Sequence, residues 1–222
     1  IDPKKIQLYG NGGRMLPLKN SEFYPDDLTE NAIQVTGEDD GVFNDNDAIL
    51  FYGEGLDNWN NDSQTTLNLY ATKSYYYINT QGVNGKRMAT MNQPSGSASL
   101  SITTFDDYLY YEFDKINIVK LGRRWFGEQF DFNNIQDFDF TIPNIVPSST
   151  IALNIYAAAS SFTATNFEVK ANNEKVGTIS FSPISEYVLA NGSNFKATIA
   201  ASEKVNVILT YNNNGVPDSK GY

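Results

Sequence analysis

Apolar and polar residues alternate along most of this chain with a period of two, the pattern of strands that bury one face. In the first half, a short apolar run at residues 47–52, bounded by Asp and Gly, predicts a buried strand. Asn84-Gly85 predicts a hairpin turn, because this pair accepts the positive φ values of a type I′ turn. The other strands predicted here cover residues 5–9, 32–36, 66–70, 75–78 and 86–91.

The second half carries the same alternation in longer segments. Residues 171–174 predict a tight hairpin loop between two of them, whereas residues 105–113 fit a short helix or a strand equally well. Strands are predicted at residues 138–142, 149–156, 166–170, 175–179, 195–199 and 204–211. Short strands at spacings near ten residues are typical of a β-sandwich.

A polar stretch of small residues at 92–99 interrupts the pattern and includes Pro94 and Gly96. Such a change in composition is typical of a boundary between structural units. We therefore predict an all-β fold of two packed β-rich units. The first is an N-terminal β domain over residues 1–95, and the second is a jelly-roll-like β-sandwich over residues 96–222.

Composition excludes several kinds of chemistry, because the 222 residues include neither histidine nor cysteine. Ser–His–Asp and Cys–His catalysis, imidazole or thiolate zinc sites and disulfides are therefore excluded. The net charge of −10 opposes binding to nucleic acids or anionic lipids. Apolar runs are much shorter than the ~20 residues that span a bilayer, so membrane insertion is not expected. The chain begins at Ile1 rather than Met, and we interpret it as a piece of a longer protein.

An acidic loop at residues 38–47 contains five carboxylates and two amides. Calcium favours such a density of oxygen ligands, which makes Asp39, Asp45 and Asp47 weak candidates for a calcium site. The EF-hand order is missing, however, and Asp and Asn side chains also form Asx turns before a strand. We favour the turn and expect no metal or other cofactor.

Exposed aromatic rings can stack on sugars, and two positions are candidates for such a binding surface. Trp59 lies in a polar loop, residues 57–62, and Tyr76 lies in a run of three tyrosines. The alternative is packing, because alternate residues of a strand point inward. A hydrolase with a pair of acids is a further alternative, but no sequence feature fixes two carboxylates at the required separation.

Several phrases together resemble one protein family. Residues 6–13, 25–33, 37–43, 47–55 and 122–128 are similar, in the same order, to the N-terminal region of PorU-like sortases. These are gingipain-like cysteine peptidases of family C25 that serve the type IX secretion system. Leu121 and Arg124 depart from the family phrase, which has Ser and Glu there. We expect the matching residues of this phrase to be structural: Gly122, Arg123, Trp125, Gly127 and Glu128.

The resemblance implies a non-catalytic region, because the family's cysteine and histidine lie in a peptidase domain further along. It also implies a Gram-negative parent at the cell surface, the outer membrane or the periplasm. The expected partner is the downstream peptidase domain, with secretion-system components or secreted cargo as further partners. The alternative function is a free-standing carbohydrate-binding or adhesion module.

Overall fold

The protein is described by a computed structural model that covers residues 1–61 and 63–222. Within these residues the fold is all-β, which confirms the predicted fold class. No α-helix occurs in this part of the chain, and the only helical turns there are the 3-10 helices Pro3–Lys5 and Glu38–Asp40. Accordingly, the described residues contain no helix of the length and apolarity that a bilayer crossing requires. The chain divides into two compact units, Ile1–Thr104 and Phe105–Tyr222.

The first unit contains short strands arranged in two small antiparallel sheets. The strands are β1 (Gln7–Tyr9), β2 (Glu30–Asn31), β3 (Gln34–Thr36), β4 (Ala48–Leu50) and β5 (Tyr77–Asn79). One sheet has the order β2-β1-β5, and β3 pairs with β4 in the other. The core is correspondingly small and consists of Ile6, Leu8, Ile33 and Val35, against which Phe43, Ile49 and Tyr76 pack.

Two strands predicted in this unit do not form. The segment 66–70 is a loop in which the Asn68 side chain takes the place of ladder partners: its Nδ2 donates to Gly13 O, and its Oδ1 accepts from Tyr70 N. Such side-chain bonds offer the backbone an alternative to a sheet. The segment 86–91 contributes only an isolated parallel bridge between Arg87 and Ile33.

Two further local predictions were wrong. Residues 47–52 do not form a buried strand, because β4 is only half-buried and Leu50, Phe51 and Tyr52 are exposed. Asn84-Gly85 is not the turn of a hairpin, since the segment directly after it, residues 86–91, forms no strand. Gly85 instead permits a close approach of two backbone segments: its amide donates to Lys4 O at 2.9 Å, and a Cβ there would clash with the Ile6 carbonyl.

The second unit contains seven strands, and all six strands predicted in this half are confirmed. They are β6 (Ile135–Thr141), β7 (Thr150–Ser160), β8 (Thr165–Ala171), β9 (Glu174–Phe181), β10 (Asn191–Ala200), β11 (Lys204–Asn212) and the short β12 (Lys220–Gly221). Antiparallel pairing gives one sheet of order β6-β11-β8-β9 and a second of order β10-β7-β12. Residues 105–113 form neither a helix nor a strand.

The two sheets enclose one core, so this unit is a β-sandwich. Buried side chains from β7, β8, β9 and β11 meet in it, and the largest are Phe167 and Tyr211. Alternation of buried and half-buried residues along β8 and β11 is the period-two pattern seen in the sequence. The sheets hold one strand fewer than the eight of a full jelly roll.

The hairpin between β8 and β9 has the loop predicted at residues 171–174. Ala171 pairs with Glu174, and the two residues between them are Asn172 and Asn173, with φ values of 50° and 68°. Positive φ at both central positions is the geometry of a type I′ turn, and asparagine tolerates it better than most residues.

Candidate functional site

The first unit has a cleft of about 390 Å³ beside Trp59. This volume lies within the range of small-ligand sites in proteins. Trp59 is 49% exposed, and an open aromatic surface is therefore available in the cleft. The remaining lining is mostly polar and consists of Arg14, Met15, Glu22, Leu56, Asn58, Asn60 and Asn61.

Hydrogen bonds link Trp59 and its described neighbours to the segment that follows them. The indole Nε1 donates to Asn61 Oδ1 at 2.8 Å, which fixes the ring relative to its own loop. Asn60 and Thr65 form an antiparallel bridge, and the backbone N–H of Asn58 donates to Thr66 O at 3.0 Å. Residue 62 of this loop lies outside the described residues. The indole is therefore bonded to a neighbour within its own loop.

Charges at the cleft are paired with charges of opposite sign. The Arg14 guanidinium donates two hydrogen bonds to the Glu54 carboxylate, at 2.8 and 2.9 Å. Glu22 lies 3.7 Å from the Lys19 ammonium. The cleft consequently combines an aromatic ring and several amides with little uncompensated charge.

Tyr76, the other aromatic candidate, is half-buried rather than displayed. It packs against the core of the first unit, its ring lies 5.0 Å from that of Phe51, and its hydroxyl accepts a hydrogen bond from Glu54 N. Its neighbours Tyr75 and Tyr77 are the exposed members of the tyrosine run. The structure therefore places Trp59 and Tyr76 in different surroundings and does not join them in one platform.

In the acidic loop, the carboxylates bond to nearby backbone amides. Asp47 Oδ2 accepts from Asn44 N at 2.8 Å, and Asp40 Oδ1 accepts from Val42 N at 2.9 Å. Asp39 and Asp45 are exposed. Among the described residues, no three acidic side chains converge as a metal site requires.

Calcium is therefore expected to leave the stability of the chain unchanged. A cation that binds only the native state raises its melting temperature through mass action. Because Asp40 and Asp47 already bond to amides in their own loop, melts in millimolar calcium and in chelator should coincide. A shift of several degrees between the two melts would show that Asp39, Asp45 and Asp47 form a calcium site.

The fifth carboxylate of the loop, Glu38, forms an ion pair with Arg87. Glu38 Oε2 lies 2.8 Å from Arg87 Nε, and both side chains are largely shielded from solvent. Arg87 Nη2 also donates to Pro3 O at 2.6 Å, and Nη1 donates to Ile6 O at 3.2 Å. Arg87 thus ties the acidic loop to the N-terminal segment of the chain.

Replacing Arg87 with alanine is expected to lower the free energy of unfolding of the first unit by about 2 kcal/mol. The loss combines several charge-assisted hydrogen bonds with a half-buried carboxylate left without its partner. Arg14→Ala is the matched control, because the Arg14 side chain is 65% exposed and its ion pair should contribute less than about 1 kcal/mol. Urea titrations that give equal losses for the two variants would contradict this assignment.

The glycine-containing phrase at residues 122–128 packs on β7 of the sandwich through Phe126 and Arg124. Phe126 is buried, and its ring lies 5.8 Å from those of both Tyr156 and Tyr222. The Arg124 guanidinium lies 3.9 Å from the centre of the Tyr156 ring, a cation–π contact. Trp125 is only half-buried and lines a shallow cleft with Leu121.

The other residues of this phrase are two glycines and two charged side chains. Gly122 has a φ of 75°, which favours glycine, and a Cβ on Gly127 would lie 3.0 Å from Phe113 O. Arg123 is half-buried. Glu128 accepts a hydrogen bond from the Tyr111 hydroxyl at 2.5 Å. Burial, together with this hydrogen bond to Glu128, raises the pKa of Tyr111 to about 12.

Two acidic side chains lie close together before this phrase. Partial burial and the nearby Glu112 carboxylate raise the pKa of Asp114 to about 6. Because this value exceeds that of an unfolded aspartate, Asp114 binds its proton more tightly in the native state. Its contribution to stability is therefore full below about pH 4 and is lost as the pH rises through about 6.

Asp114→Asn is expected to raise the melting temperature at pH 8 and to leave it nearly unchanged at pH 4. The variant removes a charge that costs stability only when the native carboxyl is ionised. Asp137→Asn, on the exposed face of β6, provides the same change of charge as a control. A difference between Asp114→Asn and wild type that does not vary with pH would contradict the prediction.

An exposed aromatic strip precedes β6. It occupies residues 105–110 and presents Phe105, Tyr108, Leu109 and Tyr110, all at least 47% exposed. The rings of Tyr108 and Tyr110 are stacked at 6.4 Å. Tyr111, which follows, turns onto the sandwich and meets the Phe138 ring edge-on at 4.9 Å.

Sequence reasoning missed Phe126, Arg124 and Arg87, the side chains that fix these surfaces. Phe126 directly follows Trp125, and the sequence does not show which of the two adjacent rings is buried. Arg124 departs from the family phrase, and its cation–π contact with Tyr156 depends on the fold because the two residues are distant in the sequence. For Arg87, the preceding Asn-Gly favoured a hairpin and obscured a long-range ion pair.

Comparison with known proteins shows a likeness in fold to a solved structure. No protein-family model matches the chain, and no curated protein matches it. Among solved structures, the chain is similar to the crystal structure of dimeric latent PorU from Porphyromonas gingivalis. The TM-score is 0.72 and the sequence identity 20% over 99% of this chain. The match covers 21% of PorU, so this chain spans about a fifth of its length. The chain has the fold of a part of PorU.

Proposed function

We propose that the chain is the non-catalytic N-terminal β region of a PorU-like cysteine peptidase of the type IX secretion system. The observation that carries this proposal is the likeness in fold to part of PorU over 99% of the chain. The phrases at residues 6–13 and 122–128, which lie in opposite halves of the chain, support the same assignment. In this proposal the parent protein is a sortase at the surface of a Gram-negative cell.

The region supplies neither the nucleophile nor the base of a cysteine peptidase. It contains neither cysteine nor histidine, so it has no cysteine-peptidase activity by itself. Within the proposal, its role is to hold or orient the peptidase domain, with secretion-system components and secreted cargo as further partners. The aromatic strip, residues 105–110, supports such a role, because contiguous exposed apolar surface marks sites of protein contact.

The test begins with the coding sequence beyond Tyr222, which should encode a domain with a paired cysteine and histidine. The chain and that domain are then produced as separate polypeptides and titrated against each other by calorimetry. Association is expected, and the double variant Phe105→Ser/Tyr108→Ser should weaken it about tenfold or more, about 1.4 kcal/mol. Tyr187→Ser is the matched control, because Tyr187 is 92% exposed and lies outside the strip.

Two results would overturn the proposal. One is a coding sequence that continues without a domain of this kind. The other is a pair of polypeptides that remain separate at tens of micromolar concentration in calorimetry and in gel filtration. Association that survives the double variant would leave the scaffold role in place and move the contact away from residues 105–110.

A further inference from the structure

We propose that the cleft beside Trp59 is a binding site for a short neutral saccharide. The site is defined by Trp59 with the flanking side-chain amides of Asn58 and Asn61. Saccharide binding here does not depend on the scaffold role proposed above, because the cleft belongs to the first unit and the aromatic strip to the second.

The aromatic ring supplies the apolar part of the recognition. One face of a pyranose ring presents C–H bonds, which pack against the electron-rich face of an indole. Trp59 is half-exposed, and its hydrogen bond to Asn61 already restricts its motion. Binding therefore requires little further ordering of the ring, which reduces the entropic cost of association.

The amides supply the polar part. Each asparagine side chain carries both donor and acceptor atoms, which matches sugar hydroxyls because a hydroxyl donates one hydrogen bond and accepts others. Asn58 Nδ2 donates to Gly55 O at 2.7 Å, and Asn61 Oδ1 accepts from the Trp59 indole at 2.8 Å. Asn58 Oδ1 and Asn61 Nδ2 are therefore the amide groups that this proposal assigns to the sugar hydroxyls. The volume of about 390 Å³ is enough for a ligand of one or a few sugar rings.

The charges favour a neutral ligand. The Arg14 guanidinium is bound in a bidentate manner to Glu54, and Glu22 lies near Lys19. An anionic ligand would have to compete with Glu54 for Arg14. The net charge of −10 further opposes a nucleic acid, although a base would also stack on tryptophan. A proline-rich peptide needs a groove lined by several aromatic rings, whereas Trp59 is the only aromatic residue that lines this cleft among the described residues.

The experiment uses the 222-residue chain and an array of short neutral oligosaccharides built from hexoses and N-acetylhexosamines. Each saccharide that binds is then titrated by calorimetry into wild type, Trp59→Ala and Trp125→Ala. Trp125, the chain's other tryptophan, lies in the second unit and is the matched control. Circular dichroism and thermal melts establish that all three proteins are folded.

Saturable binding by wild type is expected, with Trp59→Ala weakening it about tenfold or more, equivalent to about 1.4 kcal/mol. Trp125→Ala should bind as wild type does, and Trp59→Phe should retain part of the affinity because it keeps an aromatic face. Equal affinity of wild type and Trp59→Ala would overturn the proposal. The absence of any binding at millimolar saccharide would overturn it as well, as would preferential binding of a proline-rich peptide or an oligonucleotide by the same cleft.

Discussion

Phe167→Ala is expected to lower the free energy of unfolding of the β-sandwich by about 3–5 kcal/mol, the largest effect of any single substitution considered. Phe167 has no exposed surface, and its ring lies 4.8 Å from that of Phe130 and 4.9 Å from that of Tyr211. The backbone of β12 also meets the ring, because a Cβ built on Gly221 would lie 2.5 Å from Phe167 Cζ. With sheet backbone on one side and rings on the others, the cavity left by truncation has little scope to collapse.

Urea denaturation of the chain measures this loss, with Phe132→Ala as the matched control. Phe132 is fully exposed in the same unit, and its truncation should change the stability by less than about 0.5 kcal/mol. The slope of the transition should be the same for both variants, since each unfolds the same surface. A loss below about 1 kcal/mol for Phe167→Ala would mean that the sandwich core lies elsewhere.

Phe126→Ala is expected to have the second largest effect, about 3 kcal/mol. The ring is 8% exposed and contacts Tyr156 of β7 and Tyr222, so it attaches the 122–128 segment to the outer surface of the smaller sheet. Its removal also takes away a ring contact of Tyr156, the residue on which the Arg124 guanidinium lies. Trp125→Ala should cost less, because Trp125 is only half-buried.

The comparison of these two variants decides which ring anchors the segment. The sequence phrase, in which Trp125 stands between two glycines, predicts Trp125. The packing of the structure favours Phe126. A greater loss of stability for Trp125→Ala than for Phe126→Ala, measured by urea denaturation, would favour the sequence-based assignment.

The strands of the sandwich were predictable because they are long and bury one face. In β8, for example, Thr165, Phe167, Val169 and Ala171 are buried and the residues between them are half-buried, so periodicity alone locates the strand. The loop Asn172-Asn173 was predictable because its residue types match the backbone angles of the turn. Here local preference and tertiary packing agree.

The first unit was less predictable because side-chain hydrogen bonds replace much of its sheet. Asn68 and Arg87 hold two segments in place. The sequences of these segments alternate between apolar and polar residues like those of strands, but their backbones form almost no ladder hydrogen bonds. A small core buries few residues, so alternation there carries little information about burial. Leu50 and Phe51 show this directly, because they belong to an apolar run and remain exposed.

The candidate site was predictable in part. The polar loop around Trp59 indicated an exposed ring, but the cleft brings Arg14 and Glu22 to it from distant parts of the sequence. Tyr76 was indistinguishable from its neighbours in a run of three tyrosines until the register of β5 was known. The phrase at residues 122–128 was recognisable as a unit, whereas its contact with Tyr156 depends on how a loop packs on a sheet.

The position of β11 has a consequence for the order of folding. β11 lies between β6 and β8, so the four-stranded sheet has to wait for a segment near the end of the chain. The β8–β9 hairpin forms from neighbours and should appear within microseconds, whereas joining β6 to β11 closes a long loop and is slow. Until β11 arrives, β8 has an open edge. A ribosome-bound chain that stops before residue 204 would therefore expose that edge, and this is the stage at which chaperone binding or aggregation would compete with folding.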